Sequence, residues 1–203
     1  MKYVLWIIPA LFLIVAIAGL IYLYRVSRKN KKEMAKYADK SGGVTKDLGK
    51  VLVVYYSLTS RTKRIAEKIA AETTADLFEI KTKEQYPGGA KLYIVSKNEL
   101  KNKQYPAVEA FPDITGYDTI FVGSPAWWFT VAPPVFTVLE HVDFQGKKVV
   151  PFSTQESIVG AFFEDFAATA KNAQILRHAS FNNMNKKYDK QVQAKIIEWI
   201  NGL

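Results

Sequence analysis

A chain of 203 residues, 49% hydrophobic and 23% charged, has room for one medium-sized domain and excludes wholesale disorder and fibrous architectures. With no cysteine and two histidines, it also excludes disulfides, thiolate metal sites, iron–sulfur clusters and cysteine nucleophiles, and leaves a histidine-built metal site unsupported. The net charge of +9 is local: residues 25–46 carry eight Lys/Arg against two acids and residues 47–203 carry 19 against 17, so the folded part is not expected to bind nucleic acid.

Tyr3–Tyr24 holds 22 residues without a charge. At about 1.5 Å per residue this makes roughly 33 Å of helix, enough to cross a hydrocarbon core. Trp6 near one end and Tyr22 and Tyr24 at the other match interfacial aromatic belts. A cleaved signal peptide is the competing reading, with Ala16-Ile17-Ala18 as the cleavage site. The run is long for such a peptide, and its positive charge follows rather than precedes it. Residues 1–24 are therefore expected to be an uncleaved single-pass anchor. The excess of Lys/Arg from Arg25 to Lys36 places the rest of the chain on the cytoplasmic side of the cell membrane. Residues 25–48 read as a basic, solvated linker, with added affinity for anionic lipid.

From residue 49 to 203 short apolar runs alternate with helical patterns. Val51–Ser57 is continuous and β-branched, as a strand buried on both faces should be. Thr62–Thr73 places Ile65, Ala66, Ile69 and Ala70 on one helical face. Asp76–Lys81 is a second strand, Tyr86-Pro87-Gly88-Gly89 a turn, Ala90–Lys103 a basic helix and Thr119–Gly123 a third strand. Pro133-Pro134 open a helix to His141, Lys148–Ser153 is the fourth strand, and a helix covers roughly Gly160–Lys171. Gln174–Ser180 is the last strand and Tyr188–Ile200 the last helix. Five strands alternating with five helices predict an α/β fold with a doubly wound parallel sheet, whose ligands bind beyond the carboxyl ends of the strands.

Three loops lie at those ends. Ser57-Leu58-Thr59-Ser60-Arg61-Thr62 enters a helix, where hydroxyls and free N–H groups suit a phosphate. Ser124-Pro125-Ala126-Trp127-Trp128-Phe129 crowds three aromatics after the third strand, either as cover for the sheet edge or as a stacking platform for a planar ligand. Ser153-Thr154-Gln155-Glu156-Ser157 is polar and amide-rich, suited to the edge of a hydrogen-bonding ring. His141 and His178 are far apart in this topology and read as packing or surface, as do Glu164-Asp165. No Ser-His-Asp set and no GxxxxGK[ST] motif is present.

These loops, with Tyr86-Pro87, the Glu99 to Pro106 spacing and Asp143-Phe144-x-Gly146-Lys147, resemble the short-chain flavodoxin-like family from about Lys50 to Leu203. The resemblance implies a five-stranded sheet in the order 2-1-3-4-5, bound FMN and one- or two-electron transfer. It implies that Ser57, Thr59, Ser60, Arg61 and Thr62 surround the FMN phosphate. Pro125, Ala126, Trp127 and Trp128 would flank the isoalloxazine, and Ser153, Thr154, Gln155, Glu156 and Ser157 would line its pyrimidine edge. Two departures stand out. Ser60-Arg61 occupy the family's Gly-Asn, and Gln155-Glu156 replace a His-Gly type pair. A Ser at a left-handed turn costs on the order of 1 kcal/mol.

The sequence thus points to a membrane-tethered flavodoxin-like protein that binds FMN and passes electrons to a redox partner protein or a membrane quinone. An NAD(P)H-dependent quinone or flavin reductase on the same fold is one alternative. A flavin-free interaction module is the other.

Overall fold

The computed structural model describes residues 4–156, 158–182 and 185–203. Helix α1 spans Val4–Ala35; β1 Val51–Tyr55; α2 Arg61–Thr73; β2 Asp76–Glu79; α3 Ala90–Asn102; β3 Thr119–Trp127; β4 Thr130–Val131; α4 Pro133–His141; β5 Lys148–Gln155; α5 Phe162–Thr169; β6 Gln174–Ile175; β7 Ala179–Asn182; and α6 Asp189–Asn201. The sheet runs β2-β1-β3-β5-β6, with β7 also beside β5, and among the described strands only the short β4 is antiparallel. Apart from that hairpin and the division of the last strand, this is the expected five-stranded order.

Strands β1, β3 and β5 are buried on both faces, which is why they read as continuous apolar runs. On one face Ile65, Ile69, Ile196 and Trp199 of α2 and α6 meet Val53, Phe121 and Phe152. On the other, Val135, Leu139, Phe162 and Phe166 of α4 and α5 meet Val54, Ile120 and Val149. Gly123 pairs in register with Phe152, and a Cβ at Gly123 would lie 2.0 Å from that ring. Phe152 is fully buried and has nowhere to go. Gly123→Ala is therefore expected to destabilise the fold by about 1–3 kcal/mol, read as a lower urea midpoint with an unchanged slope.

Three elements differ from the sequence expectations. The last strand divides into β6 and β7, and His178 between them stacks on Phe163 with ring centres 3.6 Å apart. Asp165 is not merely solvated, because the Thr130 hydroxyl donates to its carboxylate and ties β4 to α5.

Helix α1 is the third. It runs without a break through the basic segment to Ala35. Its apolar part is exposed, whereas Val26, Asn30, Glu33, Met34 and Tyr37, at helical spacing, turn toward the domain. Met34 joins the core beside α6, and Lys195 Nζ lies 2.5 Å from Glu33 Oε1 and 2.6 Å from the Ser180 carbonyl. Lys195 is only 12% exposed. Lys195→Met is expected to cost about 1.5–3 kcal/mol and to undock the end of α1, visible as faster tryptic cleavage between Arg25 and Lys46 in limited proteolysis.

Candidate functional site

At the carboxyl ends of β1, β3 and β5 a cavity of about 470 Å³ opens to solvent, a size ordinary for small-molecule sites. Its walls come from four segments. The β1–α2 loop gives Ser57, Leu58, Thr59, Arg61 and Thr62. The β3–β4 hairpin gives Pro125 through Phe129, α3 gives Leu92, Tyr93 and Ser96, and the end of β5 gives Thr154, Gln155, Glu156 and Ile158.

The floor is built for an anion. Ser60 sits in the left-handed region (φ 59°) and its side chain does not cap the helix. The N–H groups at the first three positions of α2 have no partner within the helix, and they face the site with the positive end of its dipole. The Ser57 hydroxyl is buried and makes no hydrogen bond among the described residues. Thr62 is buried and engaged, its Oγ1 2.7 Å from Thr154 Oγ1, a bond that joins α2 to β5 beneath the cavity. Thr59 is exposed at the wall.

The aromatic wall is a strained hairpin. β3 continues to Trp127, turns through Trp128 and Phe129, both left-handed (φ 53° and 67°), and returns as β4. Two successive positive φ values suit a two-residue hairpin, but Asn-Gly normally supplies them. Each bulky residue there costs on the order of 1 kcal/mol or more. Distant groups hold the turn. Trp128 Nε1 donates to Ser96 Oγ (3.1 Å), Tyr93 meets the Trp128 ring edge-on, and Lys97 Nζ lies 5.1 Å from its centre. The Ser124 hydroxyl accepts from the Ala132 N–H, and Gly160 (φ 65°) packs beneath the Phe129 backbone.

Trp127 is half-buried, edge-on to Tyr56 (5.8 Å) and Tyr86 (5.2 Å), whereas Trp128 and Phe129 are exposed at 41% and 57%. Behind this aromatic cluster lies a second cavity lined by Tyr86, Val95, Glu99 and Pro106. The Tyr86 hydroxyl donates to Glu99 Oε2 at 2.7 Å. Burial holds the Glu99 carboxyl above its ordinary value of 4.5, against the opposing pull of that hydrogen bond. The folded state therefore binds the proton more tightly than the unfolded chain. The associated stability is complete below pH 4.5 and is lost as pH rises through the elevated value. Glu99→Gln, which can still accept from Tyr86, should remove this decline when thermal midpoints are recorded from pH 4 upward.

At the polar edge, Ser153 is fully buried and donates to Gln155 Oε1 (3.0 Å), fixing the amide at the cavity wall. Arg61 and Glu156 form an ion pair across the mouth, joining the first loop to the third.

Of the predicted residues, Ser57, Thr59, Arg61, Thr62, Pro125, Ala126, Trp127, Trp128, Thr154, Gln155 and Glu156 line this one cavity. Ser60 shapes the turn and Ser153 supports Gln155 from behind; neither lines it. Ser157 lies outside the described residues. Sequence reasoning did not anticipate Leu92, Tyr93, Ser96 or Ile158. The one available signal was the apolar run Leu92–Val95 at the start of an otherwise basic helix. Among the described residues no His/Asp/Glu cluster could hold a metal.

The profile of the Flavodoxin family matches residues 50–202. A flavoprotein of Lactobacillus acidophilus NCFM, crystallised in complex with FMN, is 28% identical, with a TM-score of 0.60 over 65% of this chain and 93% of that one. A proposed flavoprotein from Bacteroides eggerthii is 27% identical, with a TM-score of 0.62 over 76% and 97%. The apo-form of the Lactobacillus protein, solved by NMR, is 25% identical, with a TM-score of 0.52 over 70% and 99%. No curated protein matches the chain.

Proposed function

Because the chain belongs to the flavodoxin family across residues 50–202, we propose that it is an FMN-binding electron carrier, held at a membrane by α1. The observation that carries this reading is the buried Ser57 hydroxyl, unpartnered among the described residues, beside the uncapped start of α2. A phosphate supplies the acceptor that both lack.

The other walls fit the same ligand. Ser57, Thr59 and the N–H groups of α2 would hold the phosphate. Trp127, Trp128 and Phe129 offer aromatic surface to a planar ring, and Gln155 offers an amide to its hydrogen-bonding edge. Bound FMN would supply a ring that accepts and returns one or two electrons. The chain's part is to orient that ring, exclude water from its inner face and set the charge around it. The electrons would pass to a redox partner protein or a membrane quinone. A reductase using NAD(P)H would differ by oxidising that nucleotide in the presence of a quinone.

Purified full-length chain in detergent is expected to be yellow and to bind FMN in a one-to-one ratio, with quenched tryptophan emission. If FMN at high micromolar concentration leaves tryptophan emission and thermal stability untouched, the flavin reading fails and a flavin-free interaction module replaces it.

The ion pair at the mouth allows a smaller test. Glu156→Gln removes a negative charge near the phosphate and frees the Arg61 guanidinium. Exposed pairs of this kind are worth up to about 1 kcal/mol, so FMN should bind up to about fivefold tighter. The gain should shrink at high salt.

A further inference from the structure

The docked end of α1 fixes which way its apolar part points. Glu33 contacts Lys195, Lys40 contacts Glu198, and the Thr45 N–H donates to Asn201 (2.8 Å). The partners on α6 advance as the chain advances, so the end of α1 and the segment after it run parallel to α6. Helix α6 begins at the site edge of the sheet, where Asp189 lies 3.9 Å from Arg64 in the first turn of α2. It ends at the opposite edge, where Trp199 Nε1 donates to the Arg177 carbonyl ahead of β7. Lys195 is six residues into α6, about 9 Å from its start. By the same rise, the residues of α1 before about Ser27 stand beyond that start. The apolar part, Pro9 to Tyr24, therefore projects from the edge of the sheet on which the cavity opens.

That edge is apolar. Leu58, Tyr93, Ile94, Trp128, Phe129 and Ile158 are each 41–63% exposed, and they follow β1, β3 and β5 or open α3. Among the described residues outside α1, the other exposed large hydrophobics are Leu77, Val95 and Phe111, at 36–45%. A cluster of this kind around a cavity marks an interaction surface. Arg25, Arg28, Lys29, Lys31 and Lys32 lie between the apolar part of α1 and its docked end, at the level of the start of α6. These are the charges that an anionic headgroup layer attracts, at about 1 kcal/mol each.

We propose that the cavity mouth and its apolar rim rest on the anionic surface of the same bilayer that α1 enters, so that a ligand held in the cavity faces that bilayer. The inference rests on α1 spanning the membrane, and the test separates the two claims.

The chain has no cysteine, so single nitroxide labels can be placed on the full-length protein in vesicles of phosphatidylcholine and phosphatidylglycerol. Leu13→Cys reports the anchor, Ile94→Cys and Ile158→Cys report the rim, and Lys101→Cys, in the last turn of α3, reports the far end of the domain. Collision with oxygen, which concentrates in lipid, is compared with collision with a water-soluble nickel chelate. The expected result is an oxygen-to-nickel ratio several-fold higher at Leu13, Ile94 and Ile158 than at Lys101, with the rim ratios falling when phosphatidylglycerol is omitted. A high ratio at Leu13 with rim ratios equal to that at Lys101 overturns the docking and leaves the anchor standing. A low ratio at Leu13 overturns the anchor, and the docking with it.

Discussion

Ser57→Ala is expected to weaken FMN binding by about 10- to 150-fold while making the ligand-free protein more stable by about 1 kcal/mol. The opposite signs follow from one atom. Without ligand, the Ser57 hydroxyl is buried and has no hydrogen-bond partner among the described residues, so it bears a desolvation cost that alanine removes. With FMN, the same hydroxyl would donate to a charged phosphate oxygen, an interaction worth about 1.5–3 kcal/mol. Titration and thermal unfolding of one variant read both effects. Riboflavin, which lacks the phosphate, serves as the control, and its affinity should hardly change. Equal losses for both ligands would place the phosphate elsewhere.

Gly160→Ala should lower stability by roughly 2–5 kcal/mol, combining about 1–2 for a left-handed alanine with about 1–3 for steric overlap. A Cβ at Gly160 would meet the Phe129 carbonyl oxygen at 2.2 Å, and backbone cannot swing aside as a flexible side chain can. For a chain of this length the thermal midpoint should fall on the order of 10 °C. Gly116→Ala isolates the first part, because Gly116 shares the positive φ (79°) but has nothing within 4 Å of its added Cβ. The excess loss at Gly160 then measures the contact beneath the hairpin. Relief of that contact must displace Phe129 and strain the Trp128–Ser96 hydrogen bond. FMN affinity should therefore drop for Gly160→Ala and hold for Gly116→Ala.

The same hairpin shows where the sequence stops being informative. β1, β3 and β5 are legible because double-sided burial writes itself as an unbroken apolar run. The start of α2 is legible because hydroxyls precede a helical pattern. Trp128-Phe129 carries no turn signature, since left-handed turns normally use Asn and Gly. What holds it in place is spread over Ser96, Asp165 and Gly160, some thirty residues away on either side. The helical character of the basic segment was hidden for a related reason. Its inward face consists of Val26, Asn30 and Met34 set among lysines, too sparse to stand out as a stripe. Ser60 was legible as a departure, and its left-handed φ is the strain that the departure implied.

The Glu33–Lys195 contact also constrains the order in which the protein matures. Its two residues are 162 positions apart. At typical synthesis rates of about 5–20 residues per second, roughly 10–30 s separate their emergence from the ribosome. The surface that receives the end of α1 does not exist until α6, the last helix, has been made. During that interval the basic stretch has no partner in the chain and is free to follow the apolar segment wherever it goes. Capture of α1 by α6 therefore cannot precede the synthesis of α6, and until then nothing in this contact fixes how the domain sits relative to α1.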